Sequence, residues 1–290
     1  MRKFKAGKSA VGKRADVFVA GHYPAFSRSS LEALFDNQQI SLNDQPIKPS
    51  QKVKKGDVVM VDETLFKKQP PEVKLPIIYE DSNVIVIDKP AGILTHSKGA
   101  LNLESSVASF IKPKLNPKLT GNRAGIVHRL DRGTSGVIIA AKNRATLSFL
   151  QKQFSKRNTK KKYLAIVEGV PEPEEAIIKV PILRNPAKPQ TFIAARLGKS
   201  AETTYKVLKI FTKGNNRYSL LELTPKTGRT HQLRVHLKYI GHPIVGDGVY
   251  GKGGDEMMLH AKSLELTLPG GERRVFVSPI PARIRKLADV

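Results

Sequence analysis

Residues Gly125 to Ala141 read GIVHRLDRGTSGVIIAA. Two apolar runs, Ile126-Val127 and Val137 to Ala141, bracket a polar turn built on Gly133-Thr134-Ser135-Gly136. Short apolar runs bounded by glycines predict buried strands. One carboxylate, Asp131, sits between them with Arg129 and Arg132 on either side. Burial pushes a carboxyl toward its neutral form, and an adjacent cation pulls it back toward the ionised one. The stretch therefore predicts an acid held ionised between strands, the condition for a carboxylate nucleophile. Structural ion pairs draw on the same residue types, so HRLD in isolation reads more readily as a turn cap paired with an arginine.

Further strand-like runs lie on both sides of this stretch: VIVID, KYLAIVEG, TYKVLKIF, YSLLELT and LELTL. Two helices are predicted, Leu103 to Ile111 and Ala145 to Lys156. Strands dominate and do not alternate regularly with helices. That predicts an α+β fold with a mainly antiparallel mixed sheet over residues 77–290 rather than a doubly wound one. Residues 12–65 read as a small α/β module of two helices followed by short strands. Ser27 or Ser29 can cap the second helix, and Asn43-Asp44 suits a hairpin turn. Residues 66–76, rich in Pro and Lys, have the composition of a linker.

The chain has 290 residues, with 50 Lys and Arg against 25 Asp and Glu, a net charge of +25. Such an excess produces a field suited to polyanions. There are no cysteines, which removes disulfides, thiolate catalysis and Cys-ligated zinc. No apolar run approaches the roughly 20 residues of a membrane span. The basic N-terminus lacks the apolar centre of a signal peptide, though a Lys-rich transit peptide is an alternative. Gly7 to Arg14, GKSAVGKR, has the glycine spacing of a phosphate loop but ends in Arg14, not the hydroxyl that binds magnesium. Gly133-Thr134-Ser135-Gly136 has the wrong spacing for a hydrolase elbow. His231 and His236 are five apart, not the four of a helical zinc pair. No metal or organic cofactor is expected.

Three further stretches carry candidate chemistry. Asn83 to His96 is a strand that ends in Lys89-Pro90-Ala91-Gly92, with His96 following. Ser155 to Gly169 packs five basic residues between Lys156 and Lys162 ahead of Tyr163. Cations with an aromatic suit single-stranded RNA, the charges holding phosphates while the ring stacks on a base. The competing readings are a solvated charged face and a core tyrosine. Thr224 to Tyr250 crowds Arg229, His231, Arg234 and His236 into GRTHQLRVH, followed by GHPIVGD. Spacing there does not choose between strand and helix.

Taken together, HRLDRGTSG, Lys-Pro-x-Gly, K-x-Y-x-A-x-V-x-G (Lys161 to Gly169) and GRTHQLRVH resemble the signatures of the RluA/RluD class of RNA pseudouridine synthases. The resemblance covers about residues 77–284. The small module resembles the RNA-binding fold shared with small ribosomal subunit protein four. Its usual Arg-Leu-Asp is Arg14-Ala15-Asp16 here, and Leu42-Asn43-Asp44 stands where Val-Asn-Gly is usual. The resemblance implies an isomerase that converts uridine to pseudouridine, most readily in large-subunit ribosomal RNA, acting as a cytoplasmic monomer without cofactor. It implies Asp131 as nucleophile, Arg234 as the partner that holds it ionised, and Tyr163 stacked on the target base. Arg129 fills the gap left by the extruded nucleotide, and enzymes that act on a base must extrude it. Val235, Lys89, Arg229 and His231 are implied as substrate-side or supporting residues. Asp131 attacks either the anomeric carbon or ring carbon six. Two alternatives compete: a non-catalytic RNA-binding or ribosome-assembly factor, and a nucleoside glycosidase. The last usually requires a second acid flanking the bond.

Overall fold

In the computed structural model every residue is described except Lys98, Ala100, Asn102 and Asn122. The chain divides into two compact units. The first takes Met1–Val73 together with His96–Phe110 and Thr120–Arg123; the second takes Lys74–Thr95, Ile111–Leu119 and Ala124–Val290.

In the first unit, helices α1 (Ala15–His22) and α2 (Arg28–Asp36) pack with the four-stranded antiparallel sheet of β1 (Arg2–Lys5), β2 (Ile40–Leu42), β3 (Gln45–Pro46) and β4 (Val58–Val61). Ser27 caps α2 by accepting the Ser30 N–H at 3.2 Å. Asn43 and Asp44 both take positive φ, 50° and 68°, the conformation of a tight hairpin turn in which Asn and Asp are favoured. Strand β1, RKFK, is not legible from its residues, because a four-residue edge strand with three cations carries almost no apolar pattern. The expected linker begins later than its composition suggests. Thr64–Lys67 forms a short helix, α3, whose Leu65 enters the core of this unit. Leu101, well beyond the linker in sequence, is buried in the same core.

The second unit is a nine-stranded sheet. Its strands are β5 (Ile77–Glu80), β6 (Val84–Lys89), β7 (Ser135–Ala141), β8 (Lys160–Glu168), β9 (Glu175–Ile178), β12 (Thr203–Lys213), β13 (Asn216–Pro225), β14 (Leu259–Thr267) and β15 (Arg273–Val277). The order is β5-β6-β7-β14-β8-β13-β12-β9, with β15 on β14. A separate hairpin joins β10 (Ile182–Arg184) to β11 (Phe192–Ala194). Among the described residues only β7 and β14 pair parallel, so the sheet is mixed and mainly antiparallel, as expected. Of the expected helices, α5 (Arg144–Ser155) forms almost as read, whereas α4 is confined to Val107–Ile111. The ambiguous GRTHQLRVH stretch becomes α6 (Gln232–Tyr239), and α7 (Ala282–Ala288) follows β15.

The central strands are covered on both faces, which explains why β7 reads as an unbroken apolar run. Ala165, Val167, Leu221 and Leu223 pack against Leu233 and Leu237 of α6. Leu164, Ile166 and Leu220 pack on the opposite face against Ile284 and Ala288 of α7. Val137 and Ile139 meet Leu150 of α5. Each fully buried Leu or Ile contributes about 1.5–3 kcal/mol relative to exposure. This packing fixes β7, β8, β13 and β14 as a rigid floor, and α6 lies on it.

Candidate active site

The loop Leu130–Thr134 enters β7 and carries Asp131. Its backbone is clamped on every side. Leu130 exchanges two hydrogen bonds with Thr95: the threonine hydroxyl donates to the Leu130 carbonyl at 2.9 Å and accepts the Leu130 N–H at 3.1 Å. The Arg132 carbonyl accepts from Gly92 N–H at 2.9 Å and from Lys89 Nζ at 3.2 Å. Thr134 N–H donates to the Asp131 carbonyl at 3.1 Å. The Lys-Pro-x-Gly turn is therefore the brace of the Asp131 loop.

Lys89 acts within that brace and not on the cleft wall. It is fully buried, and Nζ also donates to the carbonyls of Pro90 at 2.9 Å and Ile93 at 2.7 Å. Burial pushes its pKa down to about 7, with the charge of Asp131 opposing. Three carbonyl acceptors take three N–H bonds, which only the ammonium form possesses. The sequence reading gave Lys89 a substrate-side or supporting place, and its three carbonyl acceptors fit the supporting one.

Asp131 keeps 18% of its side-chain surface open, enough for a substrate atom to reach it. Arg234, on the first turn of α6, donates from Nη1 to Asp131 Oδ2 at 3.3 Å. The same guanidinium is held as a fork on Asp247, Nε to Oδ2 at 2.7 Å and Nη2 to Oδ1 at 2.8 Å. Asp247 is buried and also accepts the N–H groups of Val249 and Tyr250, at 2.9 and 3.1 Å. Burial opposes the Arg234 charge, but the bonds and charge of Asp247, then Asp131, more than offset it and raise its pKa. Burial works against the Asp247 carboxylate too, and Arg234 with the two backbone donors lowers its pKa nonetheless. Asp247 went unrecognised in the sequence; its one signal was the acid that closes GHPIVGD.

His231 stands at the start of α6 with φ +56°, a left-handed conformation that His adopts more readily than most residues. This backbone turn brings Nε2 to 3.9 Å from Asp131 Oδ2, and Nδ1 lies 2.8 Å from Tyr250 Oη. Burial lowers the His231 pKa, against the pull of Asp131. Tyr250 in turn lies under the Arg234 guanidinium, 5.0 Å from ring centre to Cζ. The loop before α6 is fixed by Gln232. Its amide accepts from Thr227 Oγ1 at 2.7 Å and Arg229 N–H at 3.0 Å, and donates to the Glu202 carbonyl and Thr203 Oγ1, both at 2.9 Å.

Opposite, Tyr163 and Lys161 of β8 face the cleft, which is also lined by Arg129, Asp131, Arg229, His231 and Arg234. Burial, then the Asp131 charge, raise the Tyr163 pKa, so the ring is a neutral phenol. Arg129 is exposed, and Arg229 anchors on the Ser200 carbonyl at 3.0 Å. Of the residues expected at a site, Asp131, Arg234, Tyr163, Arg129, Arg229 and His231 meet here. Val235 does not. Successive helical residues point about 100° apart, so with Arg234 turned to Asp131 its neighbour turns away and packs on Ile182 and Ala201. His96 belongs to the first unit. Among the described residues there is no group of three His, Cys, Asp or Glu placed to hold a metal.

A nine-stranded α+β scaffold that aims one arginine-held carboxylate and one tyrosine into a cationic cleft defines a class of RNA-modifying enzyme. Residues 83–239 match the family model described as RNA pseudouridylate synthase. The chain belongs to that family, in its RluA/RluD class, and is an RNA pseudouridine synthase, an isomerase. It is 38% identical to the ribosomal large subunit pseudouridine synthase D of Borreliella burgdorferi, over 97% of this chain and 90% of the relative. It is 32% identical to the Escherichia coli protein of the same name, over 98% and 92%. Among solved structures, human RNA pseudouridylate synthase domain containing 1 aligns with a TM-score of 0.60 at 28% identity, over 73% of this chain and 86% of that one. No helix among the described residues is long and apolar enough to cross a membrane.

Proposed function

We propose that this enzyme isomerises uridine in the RNA of the large ribosomal subunit, with Asp131 as nucleophile. The observation that carries the reading is the Asp131–Arg234–Asp247 chain: an accessible carboxylate meets a guanidinium that a second, buried acid already holds in place. Asp247 neutralises most of the Arg234 charge, so Arg234 serves Asp131 chiefly as an aimed hydrogen-bond donor. Tyr163 stacks on the uracil across the cleft. Arg129, exposed at the rim, takes the space the target nucleotide vacates. Arg229 and His231 border the same space, and His231 offers Nε2 to the Asp131 side of it. Lys89 positions the Asp131 loop, and Val235 packs the back of α6. The names of the two bacterial relatives support the ribosomal substrate, and with it our reading of a cytoplasmic monomer.

The first unit binds RNA in the manner of the module of small ribosomal subunit protein four. Asp16 at the start of α1 supports this. Arg14 donates to it twice, at 3.0 and 3.1 Å, and Arg28 approaches at 3.6 Å from the start of α2. Both guanidiniums stay half exposed or more, so one buried acid displays two cations on a common face, the arrangement a phosphate backbone requires.

Asp131→Asn removes only the charge of the carboxylate. It is expected to abolish pseudouridine formation in a large-subunit ribosomal RNA transcript while RNA affinity stays nearly intact. Turnover by a clean Asp131→Asn preparation would sink the assignment. Mapping pseudouridines in ribosomal RNA from cells that lack the protein identifies its target uridines.

A further inference from the structure

Lys161 is the cation of the cleft to which the reading above gives no task. It stands two residues before Tyr163 on β8. Both side chains therefore leave the same face of the strand, about 6.5–7 Å apart, and both line the cleft. The ammonium ends beside the loop that follows β13, since a Cβ built on Gly228 would lie 3.9 Å from Lys161 Nζ. The adjacent lysines face the other way and are paired, Lys160 with Glu265 at 3.4 Å and Lys162 with Glu222 at 2.8 Å. Lys161 has no ion-pair or hydrogen-bond partner among the described residues. Burial lowers its pKa. A desolvated ammonium with nothing to donate to is unfavourable in the free protein, and a ligand that supplies an acceptor removes that cost.

The position selects the acceptor. The reading above puts Arg129, exposed at the rim, in the space the target nucleotide vacates. Lys161 lies deeper, level with the ring that stacks on the base. When the N1–C1′ bond breaks, the bonding pair stays with uracil and spreads onto its carbonyl oxygens. When a carboxylate instead adds at ring carbon six, the displaced pair reaches O4 as an enolate. Both routes put growing negative charge on a carbonyl oxygen, and a preorganised donor acts most strongly where charge develops. We propose that Lys161 Nζ donates a hydrogen bond to a carbonyl oxygen of the target uracil and stabilises the uracil anion. The proton stays on the lysine throughout. The inference rests on the placement of the base between Asp131 and Tyr163 given above.

The test uses the full chain, an unmodified large-subunit ribosomal RNA transcript, and short RNAs carrying the mapped target as uridine, 2-thiouridine or 4-thiouridine. Lys161→Met is expected to slow the single-turnover rate about 10²- to 10³-fold, as removal of an oxyanion donor does. RNA dissociation constants should change far less than the rate, because the bond to the carbonyl oxygen strengthens as negative charge develops there. Lys161→Arg should recover part of the rate. One of the two thio-substitutions, a weaker acceptor, should slow the wild type markedly and add little to the slowness of Lys161→Met. A normal rate for Lys161→Met overturns the proposal. A loss confined to the dissociation constant also overturns it and marks a phosphate contact. Equal slowing of wild type and variant by both thio-uridines overturns it as well. If Lys161→Met fails to fold, wild type and Lys161→Arg on the thio-substrates carry the same decision. Asp131→Asn in the same assay separates the two readings: if it is inert while Lys161→Met is fast, only the Lys161 proposal falls.

Discussion

Arg234 shows how one side chain is made to serve two acids. A guanidinium has five N–H donors in a fixed fork; Asp247 takes two of them side by side, and a third reaches Asp131. A lysine has no such fork, and Arg and Lys are not equivalent at a bidentate site. The weak point of the arrangement is Asp247. Removing one member of a buried ion pair costs about 3–5 kcal/mol, because the other is left charged and unpaired. Asp247→Ala is therefore expected to lower unfolding free energy by that amount and to leave activity far below wild type. Asp247→Asn should keep more stability but aim Arg234 less well, with the loss in single-turnover rate and not in RNA affinity. Urea titrations and single-turnover kinetics on the two variants check this. A fully active Asp247→Asn would show that Asp131 is aimed without the fork.

At the scale of elements, the site is assembled where β7 and β14 run parallel, and one glycine makes that contact possible. Gly136 has φ +111°, and a Cβ there would lie 2.2 Å from the Ala261 carbonyl oxygen and under 3 Å from two further backbone atoms. Backbone cannot retreat as a flexible side chain can, so Gly136→Ala must separate the two strands. It is expected to abolish folding of the second unit or to leave it inactive, read by circular dichroism and yield of soluble protein. A native-like, active Gly136→Ala would mean that the pairing is dispensable. Ser135 beside it is held across the same junction: it accepts from Arg283 Nη2 at 2.6 Å, and its Oγ is 2.9 Å from His260 Nδ1. Most of this architecture was legible. Long apolar or alternating runs such as β7, β8 and β13 announce themselves through local pattern, and Asp131, Arg234 and Tyr163 sit in stretches whose residue types fit their chemistry. What was not legible depends on contacts between distant residues. Nothing near Asp247 says that it faces Arg234, and nothing in Lys89 says that three carbonyls will enclose it. The return of Leu101 to the first unit's core is likewise invisible, because two leucines, Leu101 and Leu103, are too few to set a periodicity.

At the scale of the whole molecule, the positive charge and two desolvated histidines, one buried and one partly buried, act on stability in the same pH range but through different physics. His260 is almost fully buried, with its pKa pushed down to about 4 by burial. His128 accepts the Ile139 N–H through Nε2 at 3.2 Å and stacks on Phe154, and burial, then Lys161, push its pKa down to about 3. Both are neutral when folded and titrate near 6.5 when unfolded. Between about pH 6.5 and pH 4 the unfolded chain therefore binds more protons than the folded one, and stability rises with pH in that window. It is complete above 6.5 and is lost as pH falls toward 4 and then 3. Two such groups give a slope that approaches about 2.7 kcal/mol per pH unit near pH 5. Against the 5–15 kcal/mol typical of a folded protein, a loss of that order is a large share of the whole. The net charge of +25 adds repulsion as carboxylates protonate, but salt screens it, whereas the desolvation of a buried imidazolium is not screened. Urea unfolding at pH 7.5, 6.5, 5.5 and 4.5, each at low and high salt, separates the two. The stability curve should be flat above pH 6.5 and fall below it, and the fall should survive at high salt. His260→Gln should flatten it by about one proton. A decline that high salt abolishes would assign acid lability to the surface charge instead, and would mean that these two imidazoles take up protons without unfolding the sheet that holds Asp131.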